Sequence, residues 1–285
     1  MVQGQGACSA ACGYGYPYAS VPQEALMKRV YKSKEEPELL RQYRLHNPEE
    51  TWEHFRRRCR KGYKQVREAI LRDQHGLCAY CEVGIKLAEE EGEVDDFRVE
   101  HFYPKNATQE HGHNYHLDWR NLLGVCHGGS QPYVPDPEWR YSSQKRDRSC
   151  DVPKGGREIT NYILNPLKIP GKIRLFRYAE HSGRMYVDED TCPKDLQGKA
   201  RSTIRELNLN APRLMRMRRE VIHTLEDQIS DELSKGRELD EVLEMLATIC
   251  LVPDYNGVTL PFFSVIRWYL GEAAEEVIRS SGAKL

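Results

Sequence analysis

Cys78-Ala-Tyr-Cys81 places two thiols in one tight turn, a spacing from which two thiolates can be aimed at one tetrahedral ion. Such a pair is half a site; taken alone it favours a metal ligand pair over the reading as two buried or redox-active cysteines. Cys126 and Cys150, at the edges of a stretch (128–149) without hydrophobic pattern, are the candidates for the other half. Between the halves lie Glu100-His101 and Asn121, and Asp151 follows Cys150 directly. These residue types suit metal-assisted phosphodiester cleavage. Carboxylates such as Glu100 and Asp151 are hard oxygen ligands for Mg2+ or Mn2+. A neutral imidazole at His101 can take a proton from an attacking water. Because neighbours on a strand face opposite sides, Glu100 and His101 serve one site only if the strand end twists or opens.

The elements that must position these residues are legible as patterns. From Asn47 the run N-P-E-E-T-W offers an N-cap, Pro at the first helical position and acids in the first turn, and Trp52, Phe55 and Cys59 follow at helical spacing. A helix is therefore predicted from 47, its stripe continued by Tyr63, Val66 and Ile70 until His75-Gly76 stops it. Phe97 to Tyr103 alternates as a strand and ends at Pro104. The acidic stretch from Glu89 to Asp96 and the polar residues 105–116 are predicted loops, the second with His111, His113 and His116 facing solvent. KIRLFRYAEHSGRMYV predicts a hairpin around His181-Ser182-Gly183. Leu214, Met217, Val221, Leu225 and Ile229 predict an amphipathic helix, with further helices over 238–250 and 261–279. Residues 1–26 read as a disordered Gly/Tyr/Ala/Ser tail.

The chain has 285 residues, more than one ordinary domain needs and ample for a packed core. Its 42 Lys+Arg against 43 Asp+Glu exclude a global cationic field, although local basic faces remain. Residues 41–67 hold nine Lys or Arg against three Glu, which reads as a solvated helix face or a nucleic-acid contact. Residues 140–157 hold six against two Asp, and there Lys154 and Arg157 flank the candidate metal residues, where phosphate attraction is the favoured account. Arg213, Arg216, Arg218 and Arg219 crowd one helical turn and read as a solvated face ahead of a nucleic-acid rail or a contact with an acidic partner protein. Nine cysteines at irregular spacing argue against a disulfide framework and for reduced thiols. A mean hydropathy of −0.71, with no apolar run near the ~18 residues a membrane span needs, excludes insertion in a bilayer. The first 20 residues carry no Lys or Arg, so neither a secretory signal nor a transit peptide is expected, and the expected compartment is the cytoplasm.

The order C-x2-C, Glu-His, Asn-Leu, Cys, then Cys-Asp-x2-Lys-Gly resembles the HNH endonucleases, and most closely their PtuB group from the Septu and retron anti-phage systems. The stretches that carry the resemblance are MKRVYKSKEEPELLRQYR (27–44), QHGLCAYCE (74–82), VEHFYPK (99–105), LDWRNLLGVC (117–126), CDVPKGG (150–156), and ILNP followed by IRELNLNAPRLMRMRR. It runs through most of 27–230, is weak beyond, and is absent from the first 26 residues.

The resemblance implies an α+β protein. A ββα-metal nuclease core with a zinc site over about 76–157 would lie between a helical segment (27–75) and a hairpin plus helical region (158–285). It makes His101 the general base, Glu100 and Asp151 the ligands of a catalytic Mg2+ or Mn2+, Asn121 the residue that orients the histidine loop, and Cys78, Cys81, Cys126 and Cys150 a structural Zn2+ site. Lys105 and Lys154 match family lysines, the second a phosphate contact. The implied partners are nucleic acid, DNA ahead of RNA, an ABC-type ATPase of the PtuA kind, and a retron reverse transcriptase with its DNA. Two departures stand out. Cys126 is followed by His127-Gly-Gly rather than a second close cysteine, which leaves His127 a rival to Cys150. Position 100 is Glu where many relatives have Asp, and position 151 is Asp where many have Asn or His. A zinc-stabilised subunit without catalysis that binds nucleic acid or the ATPase, and a restriction-type enzyme working alone, remain alternative readings.

Overall fold

The computed structural model describes residues 29–88, 95–107, 112–170 and 173–281. The expected tail lies outside the described residues, as does most of the acidic stretch before β1. Three helices open the described chain: α1 (Glu38–His46), α2 (Trp52–Arg58) and α3 (Arg60–Asp73). Then come strands β1 (Phe97–His101) and β2 (Leu122–Cys126), and two single-turn helices, α4 (Pro137–Arg140) and α5 (Asp151–Lys154). A hairpin of β3 (Phe176–Ala179) and β4 (Arg184–Val187) follows, and then helices α6 (Lys194–Glu206), α7 (Pro212–Ser234), α8 (Leu239–Leu251) and α9 (Phe263–Ser281), the last interrupted at Gly271. Mixed helix with two small antiparallel sheets is the expected α+β class. The described residues contain no helix long and apolar enough to cross a membrane.

The predicted helix from Asn47 begins instead at Trp52. The Asn47 side chain and backbone N–H are both used on the Tyr43 carbonyl, each at 2.9 Å, where they close α1. Thr51 takes over as N-cap and accepts from the His54 N–H at 3.3 Å. Cys59, at φ −121° and ψ 64°, breaks the stripe into two helices. The stop at His75-Gly76 is as expected, both residues having positive φ. The hairpin and the C-terminal helices also form where the patterns place them.

One apolar core runs from Val30 and Trp52 through Ile70, Leu122 and Leu123 to Met217 and Val265, so the helical segment, the strands and the C-terminal region share it. A second cluster around Leu225, Val242, Leu246, Phe263 and Leu270 closes α7, α8 and α9 on one another. Every residue of β2 is buried, because α3 covers it. The approach is close: a Cβ on Gly124 would lie 2.5 Å from Ile70 Cγ2. Gln74, fully buried, links the two elements, donating to the Leu77 and Gly124 carbonyls at 2.8 Å and accepting from the Gly124 N–H at 2.7 Å. With all its polar atoms satisfied, this amide fixes the register of β2 against the end of α3.

Candidate active site and thiolate centre

β1 and β2 pair antiparallel from Phe97 opposite Cys126 to His101 opposite Leu122, so the two ends of one short ladder carry a cysteine and the histidine. The turn of Cys78 and Cys81 is tied to this ladder by the Ala79 N–H, which donates to the Gly124 carbonyl at 3.0 Å. Cys126 ends β2. Cys150 arrives after the long excursion, which returns almost to its starting point: the Ser149 N–H donates to the Gly128 carbonyl at 3.0 Å. Gly128 is required there, since its φ is +59° and a Cβ would lie 2.3 Å from the Ser149 carbonyl oxygen. The insertion thus brings Cys150 back beside Cys126, their sulfurs 3.7 Å apart. Within it, α4 sets Trp139 beneath Arg216, whose guanidinium lies 4.8 Å from the ring centre.

The four sulfurs converge, all within 4.8 Å of one another. Cys78–Cys150, Cys81–Cys126 and Cys126–Cys150 are separated by 3.9, 3.6 and 3.7 Å. Four thiolates about 2.3 Å from a tetrahedral ion stand about 3.8 Å apart, so the donor set and its spacing fit a metal ion such as zinc. Hydrogen bonds from the other three thiols hold Cys126 well below its ordinary pKa, whereas its bonds to Cys126 and Cys78 push Cys150 up. Four thiolates packed this closely would repel one another unless a cation sat among them. The Cys126 Sγ also accepts from the Gly128 N–H at 3.4 Å, and Cys78 Sγ from the Cys126 N–H at 3.3 Å. His127 is elsewhere engaged: its Nε2 donates to the Asp95 carbonyl at 2.9 Å. Among the described residues the four cysteines are the one group of three or more such ligands close enough to share an ion.

β1 divides the remaining residues between its two faces. On one face Arg98 meets Asp151, Nη2 to Oδ1 at 2.8 Å and Nε to Oδ2 at 2.7 Å. Glu100 on the same face accepts from Lys154 Nζ at 2.6 Å, and that ammonium, almost wholly buried, also reaches the His101 carbonyl at 3.0 Å. Burial raises the pKa of both carboxyls, and for Glu100 the nearby Asp151 charge adds to it while Lys154 opposes it. The pair is chemically suited to a divalent cation, but each acid already holds a cationic side chain. On the other face lies the buried His101 ring, edge-on to Trp52 at 5.3 Å and to His116 at 6.3 Å. Its Nε2 lies 3.0 Å from the His116 carbonyl. A carbonyl only accepts, so Nε2 carries the proton and Nδ1 keeps its lone pair. Burial pushes the His101 pKa down to about 3, so the ring is neutral.

Asn121 closes the loop between His101 and His116. Its Oδ1 accepts from the Tyr103 N–H at 2.7 Å, and its Nδ2 donates to the Tyr103 and Tyr115 carbonyls, both at 3.0 Å. His116, expected in solvent, is only 19% exposed and accepts at Nδ1 from the Trp52 N–H at 3.2 Å. His113 is exposed and pairs with Asp118, and His111 lies outside the described residues. Lys105 pairs with Glu53, and Arg157 with Glu206 at 3.0 Å. Two of the four arginines of α7 correct the expectation of a solvated face: Arg213 and Arg218 are buried, on Ser149 Oγ and on the Leu209 and Leu214 carbonyls, whereas Arg216 and Arg219 are exposed. Trp52, His116 and Arg98 escaped the sequence reading. Only Arg98, two residues from Glu100 on an alternating strand, carried a signal.

No family model matches the chain. Over 210 residues it is 32% identical to the Escherichia coli protein named "Retron Ec83 putative HNH endonuclease", covering 69% of this chain and 79% of the relative. The chain belongs to the HNH endonuclease family. The HNH endonuclease is accordingly a phosphodiester hydrolase whose substrate is nucleic acid. Its histidine, thiolate cluster and asparagine clasp all lie within one hairpin and the segments tied to it.

Proposed function

We propose that this HNH endonuclease is metal-dependent, with His101 as general base, Asn121 as the residue that orients it, and Glu100 and Asp151 as holders of Mg2+ or Mn2+. β1, β2 and α5 would form the ββα-metal core within about 76–157, with zinc on Cys78, Cys81, Cys126 and Cys150. The observation that carries the reading is the fixed tautomer: Nε2–H is spent on the His116 carbonyl, and Nδ1 is left to take the proton of the attacking water. A phosphodiester anion beside the ring would raise its basicity from the depressed value of the free protein. A divalent ion held by the carboxylates would stabilise charge on the phosphate and the leaving oxygen. Lys154 is buried between Glu100 and the His101 carbonyl, so its ammonium is not free for the phosphate contact expected of it and instead keeps the strand end and α5 together. Lys105 and Arg157, each paired with an acid, would meet flanking phosphates.

The retron in the relative's name supports a role in anti-phage defence. We place the protein in the cytoplasm, acting on DNA ahead of RNA, beside an ABC-type ATPase of the PtuA kind and a retron reverse transcriptase with its DNA. The cationic partners on both carboxylates favour the second reading, a zinc-stabilised binding subunit without catalysis. The test is incubation of plasmid and of RNA with the purified protein, with and without Mn2+ or Mg2+, beside His101→Ala. The proposal expects divalent-dependent cutting that the variant lowers by about 10²-fold or more. Equal cutting by both proteins removes His101 from the mechanism, and no cutting by a zinc-loaded protein selects the binding subunit.

A further inference from the structure

The two cations on the carboxylate face are held in different ways. Lys154 is 1% exposed, with its ammonium on Glu100 Oε1 and the His101 carbonyl. Moving it would leave a buried charge without a partner, so it is a fixed part of the frame. The Arg98 side chain is 38% exposed and can leave for water. Its pairing with Asp151 is also imperfect. Nη2 donates to Oδ1 at 2.8 Å, but Nε, although 2.7 Å from Oδ2, is shielded from solvent without a hydrogen bond. Arg98 therefore covers both oxygens of Asp151 with only one aligned bond. Glu100, in contrast, has one oxygen on Lys154 and the other clear of it. A divalent cation entering between the acids must take Asp151 from Arg98 and need not disturb Lys154.

We propose that Arg98 is an exchangeable counter-ion: it holds Asp151 while no divalent cation is bound, yields that carboxylate to the cation, and then contacts a phosphate of the substrate. The inference rests on the divalent site of the preceding section. A guanidinium that fits a carboxylate fits a phosphate equally well, because both present two oxygens to its planar fork. Its position on β1, two residues before Glu100 and three before His101, keeps the released side chain on the metal face of the strand. The exchange makes cation entry and phosphate capture parts of one event, with the free site kept neutral.

The test uses the full zinc-loaded chain and Mn2+ alone, followed by electron paramagnetic resonance, for wild type, Arg98→Gln and Asp151→Asn. A nuclease-resistant phosphorothioate duplex then reads phosphate contact in the presence of Mn2+. Expected are Mn2+ binding about tenfold tighter in Arg98→Gln, as one charge-assisted contact no longer has to be given up, and duplex binding about tenfold weaker. Asp151→Asn should bind Mn2+ more weakly than wild type. Mn2+ affinity in Arg98→Gln equal to or below wild type, with zinc content and melting temperature unchanged, overturns the exchange. Unaltered duplex affinity overturns the phosphate contact. His101-dependent plasmid cutting is scored separately, so a nuclease that cuts normally with Arg98→Gln binding Mn2+ no tighter sinks this inference alone.

Discussion

The two faces of β1 solve opposite electrostatic problems within five residues. On the face toward α5, two carboxylates are gathered, which costs Coulomb repulsion unless cations intervene, and Arg98 and Lys154 supply them. On the face toward α2, a single imidazole is set among Trp52, His116 and the loop clasped by Asn121, where burial disfavours the charged ring. One face is a charged site made neutral by pairing; the other is a neutral base made so by burial. They meet at the end of the strand, where the Lys154 ammonium holds both the Glu100 carboxylate and the backbone of His101. The lesson is that one short strand can hold a paired carboxylate and a neutral imidazole on opposite faces, each stabilised by a different neighbour.

The comparison breaks most completely if the charged face loses its foundation. Cys150→Ser removes one corner of the thiolate cluster directly before Asp151. A structural zinc site contributes on the order of 10 kcal/mol of apparent binding free energy to folding, so the variant is expected to lose bound zinc, read by metal analysis, together with its cooperative melt. A protein that melts normally without zinc would separate the cluster from the fold. Next in size is Asn121→Ala, which leaves the Tyr103 N–H and the Tyr103 and Tyr115 carbonyls without their partner. At about 1–3 kcal/mol for each of these three groups, a loss of at least about 3 kcal/mol in urea unfolding is expected. Bound zinc should stay in place, confining the damage to the imidazole face.

Acid sharpens the contrast without a mutation. His101 titrates near 6.5 in an unfolded chain and at about 3 when folded. Below 6.5 the unfolded chain takes up a proton that the folded one refuses, so this residue's contribution erodes stability as pH falls from 6.5 toward 3. His101→Gln should flatten the stability profile in that window, as followed by urea unfolding; an unchanged slope would mean that the ring is not buried neutral. The smallest effect is expected at Arg157→Ala: its exposed pair with Glu206 is worth less than about 1 kcal/mol, so melting should hold while duplex affinity falls slightly at low salt.

Much of this was legible in the residues. The four cysteines were visible because thiol spacing constrains a metal site even across an insertion, and the histidine stop, the hairpin and α7 were visible because turn chemistry and periodicity are local. What escaped depended on contacts between segments. Nothing near Asn47 shows that its amide will close α1 rather than open α2. The burial of Arg213 and Arg218 follows from where Ser149 and Leu209 come to lie, 64 and 9 residues away. His116 looked like one of three loop histidines until Trp52, 64 positions earlier, supplied its N–H.

The central claim, that both faces of β1 serve one reaction, is tested most directly by the initial rate of Mn2+-supported plasmid cutting for wild type, Glu100→Gln and His101→Ala at equal zinc content. One reaction predicts that both variants lose cutting by about 10²-fold or more. Cutting by Glu100→Gln at the wild-type rate, with His101→Ala inactive, would contradict it.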